Sequence, residues 1–213
     1  MLMSTFNNRT ILMLVMLLLT ACQSAPETAP GLDPAVEPVI EESAAEPGPV
    51  DFYQQFYTEA IASLRNGKTE QALELLVQVS TDAPDKPYVF TNLGLAYSKL
   101  QKLGLAEQAF EEAIIRNNQD AVAYNHLGIL QRYKGQFEAA RNQYQQAIRI
   151  DEDYAFAHLN LGILFDLYLQ DLELALQQYQ KYQALVTEED SQVTGWITDI
   201  QRRLKTTAST AQG

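Results

Sequence analysis

Gly94, Gly128 and Gly162 recur at a constant interval of 34 residues, each inside a Leu-Gly-Leu or Leu-Gly-Ile triplet. Other residues keep the same interval. Four residues before each glycine stands Phe90, Tyr124 or His158. After it come Ala106 and Ala140, then Ala175 one residue late, and four residues beyond each alanine stands Phe110, Tyr144 or Tyr179. Extended backwards, the interval lands on Phe56, Ala60 and Ala72, which mark a weaker first copy. A fixed period of roughly 20–50 residues means an array of one supersecondary unit, and each unit can bury its apolar face only against a neighbour.

The pattern, an aromatic or His, then Leu-Gly, then Ala-x3-aromatic, closely resembles the tetratricopeptide repeat, most clearly in the two middle copies. The resemblance implies an all-α fold. It would be a right-handed superhelix, or α-solenoid, of about four helix pairs with a C-terminal capping helix. The expected repeats cover residues 53–86, 87–120, 121–154 and 155–189, with an added residue in the last near 169–171. Asp85 is the expected cap before the Lys86-Pro87 start of repeat two, and Asp120 that of repeat three. Residues 191–205 place Val193, Trp196, Ile197, Ile200 and Leu204 at helical spacing, the pattern of an amphipathic closing helix. The repeat domain thus spans 51–205, and the small polar tail 206–213 is expected to fray.

The small residues have a physical reason. Gly94, Gly128, Gly162 and Ala72, Ala106, Ala140, Ala175 let two antiparallel helices approach closely, and the aromatics are expected to fill the wider gaps between successive helices. Filling Gly128 with Leu should overpack the pair, at a cost of about 1–3 kcal/mol.

In the tetratricopeptide family the concave groove is lined by fixed places on each first helix. Carried over by register, those places hold Tyr57 and Ile61 in repeat one, beside Gln54 and Arg65. Repeat two supplies Tyr88, Thr91, Asn92 and Leu95, with Lys99. Repeat three supplies Asn125, His126, Ile129 and Arg132, with Val122 and Tyr133. Repeat four supplies Asn160 and Ile163, with Phe156, Leu159 and Asp166. The resemblance therefore implies a floor of Ile61, Leu95, Ile129 and Ile163. Asn92, Asn125 and Asn160 stand beside it, as carboxamides able to hold an extended peptide backbone. The Lys/Arg clamp by which some members grip an acidic chain terminus is not matched, because Val122 and His126 occupy the corresponding places. The domain's own tail or a second copy of the protein are alternative occupants of the row, so a homo-oligomer is among the candidate partners.

The N-terminus carries a different signal. Arg9 is the one charge in the first 21 residues, and residues 11–19 form an apolar run of nine. A membrane span needs about 20 such residues, whereas a signal-peptide core has about 7–15. The run ends in Leu19-Thr20-Ala21-Cys22, which resembles the lipobox of bacterial lipoproteins. The resemblance implies cleavage after residue 21 and acylation of Cys22, the only cysteine in the chain. Gln23 rather than Asp after it implies sorting to the outer membrane, on its periplasmic side. Residues 23–50 hold six of the eight prolines and six acids, with no Lys, Arg or aromatic residue. Such a composition reads as a disordered tether, able to reach about 85 Å when stretched.

Charge and motifs narrow the function. With 15 basic and 27 acidic residues the net charge is −12, which argues against nucleic acid and against a polybasic grip on lipid. Residues 62–69, ending Gly67-Lys68-Thr69, fit a relaxed phosphate-loop pattern, but the register places Gly67 at an inter-helix turn where a true loop follows a strand. His126 and His158 lack metal-site spacing. His158 reads as packing, and His126 as a possible ligand contact. No catalytic motif, metal site or cofactor is indicated. The expectation is a lipid-anchored adaptor for a protein of the cell envelope, resembling pilus-biogenesis lipoproteins in layout. A docking regulator of peptidoglycan hydrolases is the alternative, and a nucleotide-binding enzyme the remote one.

Overall fold

The computed structural model describes residues 52–210. The expected signal peptide, Cys22, the tether through residue 50 and residues 211–213 lie outside them. Among the described residues there are nine α-helices, one π-helical turn and no strand. They fall into antiparallel pairs: α1 (Phe52–Arg65) with α2 (Thr69–Asp82), α3 (Pro87–Lys99) with α4 (Leu103–Arg116), and α5 (Ala121–Tyr133) with α6 (Phe137–Ile150). In the fourth pair α7 (Ala155–Ile163) runs on into the π-helical turn Leu164–Leu169 before α8 (Leu172–Leu185), and α9 (Ser191–Thr210) closes the stack. Each second helix packs on the first helix of the next pair, and α9 docks on α8 in the same way. The result is an α-solenoid whose core runs along the stack, through Leu76, Val79, Val89, Phe110 and Tyr144.

The recurring glycines serve a ring as well as a helix. A Cβ added to Gly94 would meet the Phe110 ring at 2.4 Å, one on Gly128 the Tyr144 ring at 2.7 Å, and one on Gly162 the Tyr179 ring at 2.6 Å. The second-helix aromatics therefore sit directly against the glycine of their own pair, in the gap between its two successive helices. Gly and aromatic are one device repeated three times. Phe110 also serves the next repeat, since its other contact is the His126 ring, stacked at 5.3 Å.

A second device closes each pair. The inter-helix turns place Gly67, Gln101, Gly135 and Gln170 in the left-handed region, with φ of +72°, +58°, +73° and +56°. In the first three turns an N–H reaches back five residues, from Lys68 to Ser63, Lys102 to Tyr97 and Gln136 to Gln131, at 2.9 Å each. This is the Schellman closure of a helix end. In the fourth, Asp171 N reaches back six residues to Phe165 O at 3.0 Å. The extra residue of repeat four is thus held inside the first helix as the π-helical turn, upstream of the expected 169–171. A π turn hides an insertion without opening the loop, so the left-handed residue and the second helix keep their places.

Helix starts differ from expectation at one place. Asp120 caps α5, its Oδ1 accepting from Ala123 N at 2.8 Å. At α3 the cap position is Lys86, without a side-chain bond, and Pro87 opens the helix, so Asp85 is not its cap. Asp171 caps α8 through Leu174 N. The closing helix continues to Thr210, past the expected end at residue 205. Thr206 and Thr207 donate back to the Arg202 and Arg203 carbonyls there. Trp196 packs on Tyr179 with ring centroids 5.3 Å apart.

Candidate partner-binding face

The first helices α1, α3, α5 and α7 carry every residue that the sequence assigns to the groove except Asp166, which lies in the π-helical turn after α7. Twelve of them are buried: Tyr57, Ile61, Tyr88, Thr91, Asn92, Leu95, Asn125, His126, Ile129, Arg132, Asn160 and Ile163 range from 0% to 8% exposed. Ile61 packs with Tyr57, Leu64, Ala72 and Leu76, and Leu95 with Ala106, Phe110 and Leu127. Ile129 and Ile163 are 1% and 4% exposed.

The carboxamides make internal links. Asn92 donates to the Tyr57 hydroxyl at 3.0 Å and to Tyr88 O at 2.9 Å. Asn160 donates to Asn125 Oδ1 at 3.1 Å, and Asn125 in turn to the Tyr154 hydroxyl at 3.4 Å. Tyr57–Asn92 and Asn125–Asn160 are both 35 residues apart, so one place of a first helix meets the following place of the next first helix. Buried polar groups hold register when they are satisfied, and these pairs set the stagger between repeats.

The equivalent middle pair, Thr91 and His126, breaks the pattern. Thr91 Oγ1 donates instead to Asp120 Oδ2 at 2.5 Å, joining α3 to the cap of α5. His126 Nε2 is buried with no hydrogen-bond partner. Burial drives the His126 pKa down to about 4, so the ring is neutral and acts as a stacking plate for Phe110. His158 is buried too. One ring nitrogen donates to Glu152 O at 3.0 Å, while the other lies 2.8 Å from the Gln178 side chain.

Arg132 is 5% exposed and has no ion pair among the described residues. Its Nε donates to the Tyr144 hydroxyl at 3.3 Å and Nη1 to the Tyr168 hydroxyl at 3.5 Å. The guanidinium also lies over the Tyr133 and Tyr168 rings. Burial opposes its charge, but the two hydroxyls outweigh burial and its pKa is raised. Burial pushes Tyr144 up to about 12, with Arg132 pulling the other way. Asp166, expected in the groove, is engaged by Arg203 of α9 at 3.1 Å.

What stays accessible is a row one place beyond Arg132. Arg65, Lys99, Tyr133 and Leu167 recur at the 34-residue interval, and all four are exposed. Tyr133 is 41% and Leu167 52% exposed. Beside the basic half lie Lys68 and Lys102, exposed in the turns after α1 and α3. The sequence reading included Arg65, Lys99 and Tyr133 but missed Leu167, Lys68 and Lys102, although the same interval marks them. On the second helices the most exposed large apolar residue is Ile115, at 77%.

The phosphate-loop-like stretch 62–69 runs from the end of α1 through the Gly67 turn to the start of α2, so it lacks the preceding strand that phosphate cradling requires. Among the described residues no cluster of three His, Cys, Asp or Glu could hold a metal ion, and no helix is long and apolar enough to cross a membrane.

Comparison with known proteins agrees with this geometry. Residues 57–121 match the family "Tetratricopeptide repeat", and residues 130–167 match "TPR repeat". Human Tetratricopeptide repeat protein 8 is 33% identical over 96 residues, 45% of this chain and 18% of that protein. The chain thus spans under a fifth of that curated relative. Among solved structures, Pseudomonas aeruginosa PilF superposes with a TM-score of 0.65 at 18% identity, over 75% of this chain and 72% of that one. MamA residues 41 to the end from Desulfovibrio magneticus RS-1 give a TM-score of 0.62 at 20% identity, over 76% of this chain and 90% of that one. At these identities the likeness shows the fold. Residues 57–121 and 130–167 thus carry tetratricopeptide repeats.

Proposed function

We propose that this tetratricopeptide-repeat protein is a non-catalytic adaptor, anchored by lipid at Cys22, that holds a protein partner of a cell-envelope machine on its first-helix face. The observation that carries the reading is the register of the stack. Three consecutive first helices bring Arg65, Lys99 and Tyr133 to equivalent exposed places, and Leu167 is exposed in the π-helical turn after the fourth, while the residues beneath them are committed to the core. A rigid multi-helix surface with a basic half and an apolar half suits an extended or helical segment. The lipobox-like Leu19-Thr20-Ala21-Cys22 and the Pro- and acid-rich stretch after it support attachment at the outer membrane by a tether. The resemblance in layout to pilus-biogenesis lipoproteins supports an assembly role.

Two measurements test this. Labelled palmitate should enter the protein and fail to enter the Cys22→Ser variant; equal labelling of both would refute the anchor. Affinity capture from envelope extracts should return subunits of an assembly machine such as a pilus or secretion system. Recovery of peptidoglycan hydrolases instead would transfer the adaptor to cell-wall regulation.

A further inference from the structure

Arg132 is the one buried Lys or Arg among the described residues. A buried charge is ordinarily matched by an opposite one. Elsewhere Arg116, Lys134, Arg141 and Lys181 each meet a carboxylate. The Arg132 guanidinium has five N–H groups, of which one serves the Tyr144 hydroxyl and one the Tyr168 hydroxyl. The rest, one on Nη1 and both on Nη2, have no acceptor among the described residues. Asp166, at the same interval one repeat on, is engaged by Arg203 instead.

A second group at the equivalent place repeats the anomaly. Ser98 stands 34 residues before Arg132, on the neighbouring first helix α3. It is buried, and its Oγ has no hydrogen-bond partner. Buried polar groups are paired as a rule, so unused donors at one place of adjacent helices call for an acceptor from outside the domain. Around them the surface is mixed. Tyr133 and Leu167 are exposed and apolar, and the Arg132 guanidinium lies 5.4 Å from the Tyr133 ring centre. Lys99 and Lys102 are exposed and form no ion pair among the described residues. We infer that this part of the first-helix face takes an acidic and apolar peptide segment of the partner: one Asp or Glu carboxylate pairs with Arg132, a neighbouring apolar side chain rests on Tyr133 and Leu167, and a second acid meets Lys99 and Lys102.

The chemistry and the spacing fit one short segment. A carboxylate has two oxygens, and a guanidinium edge offers N–H groups in a matching fork, so the pair is charge-assisted and directional. Equivalent places on neighbouring first helices lie about 10 Å apart. An extended peptide covers about 3.3 Å per residue, so acids spaced about three residues apart reach Arg132 and Lys99 together. The net charge of −12 repels acids at a distance, so recognition rests on contact with the buried donors rather than on a diffuse field. A neutral or basic segment would cover the guanidinium without a counter-charge, at a desolvation cost. The inference rests on the first-helix face being the one that holds the partner, and adds the partner's chemistry.

The test uses the full chain carrying Cys22→Ser and two fluorescein-labelled peptides, both amidated at the C-terminus: Gly-Leu-Glu-Ala-Phe-Glu-Gly and its twin with Gln in place of each Glu. By fluorescence anisotropy the Glu peptide should bind at least tenfold more tightly than the Gln twin. Arg132→Gln should remove most of that preference. Lys99→Gln with Lys102→Gln should lower it severalfold, and Lys181→Gln on α8 should leave it unchanged. In the wild-type background the Arg132 Nε–H resonance should shift on saturation with the Glu peptide and stay in place with the Gln twin, which decides the matter if Arg132→Gln loses its helices by circular dichroism. Equal affinity for the two peptides, binding of neither, a preference that survives in folded Arg132→Gln, or an unmoved Arg132 resonance would each overturn the inference. Envelope capture is read separately. Capture that is lost with Leu167→Glu while the two peptides bind equally would keep the first-helix face and reject the carboxylate.

Discussion

The ring of Tyr144 lies over Gly128 so closely that a Cβ there would sit 2.7 Å from Cε1 and 2.8 Å from Cδ1. Tyr144 is fully buried, and its hydroxyl accepts from Arg132, so the ring cannot swing away without losing a buried bond. Gly128→Ala should therefore destabilise the domain by about 1–3 kcal/mol, the usual range for overpacking. In a Tyr144→Ala background the same change should cost less, with a coupling of about 0.5–3 kcal/mol in a double-mutant cycle read by urea denaturation.

The four inter-helix turns contain a natural comparison. Gly67 and Gly135 occupy the left-handed region at no steric cost, whereas Gln101 and Gln170 hold it at φ of +58° and +56°. The penalty for a residue with a Cβ is about 1–2 kcal/mol, partly offset by the greater freedom of glycine in the unfolded chain. Gln101→Gly and Gln170→Gly should each stabilise by about 0.5–1 kcal/mol, and Gly135→Ala should destabilise by a similar amount. Thermal melts of the three variants check all three signs.

Asp120 joins two elements, capping α5 through Ala123 N and accepting from Thr91 Oγ1. Asp120→Ala removes the cap, worth about 0.5–2 kcal/mol, and strands a buried hydroxyl. Asp120→Asn keeps an acceptor and should retain most of the stability. Thr91→Val, which removes the stranded group, should soften the loss in Asp120→Ala when the variants are compared by denaturant midpoint.

His126 supplies a pH dependence with a definite sign. Its folded pKa lies near 4 against 6.5 for the free side chain, through burial. The unfolded chain therefore takes up this proton first as pH falls. Stability is whole above pH 6.5, declines between about 6.5 and 4, and levels off below. The span corresponds to a loss on the order of 3 kcal/mol. His126→Phe, which preserves a ring against Phe110, should flatten that part of the profile when wild type and variant are compared at each pH.

The solenoid was legible in the sequence because it rests on local pairs at fixed spacing, such as Gly94 with Phe110 and Gly128 with Tyr144. Those pairs leave the same residue types in three of the four repeats. The site was less legible, because register names a place without saying how deep its side chain lies. Asn92, Asn125 and Asn160 read as peptide holders, yet they bond to Tyr57, Tyr154 and each other. The extra residue of repeat four was visible as a break in spacing. Its absorption at Leu164–Leu169 was not, since an insertion can lengthen a turn or wind into the helix.

The central claim is that the first-helix face, not the second-helix face, holds the partner. Charge and apolar reversal on each face tests it most directly, using Lys99→Glu with Leu167→Glu against Ile115→Glu. Partner capture from envelope extracts is measured alongside circular dichroism to show that the helices persist. The account predicts that capture falls at least tenfold in the Lys99/Leu167 variant and is unchanged by Ile115→Glu. Undiminished capture by the first variant, or its loss through Ile115→Glu alone, would contradict it.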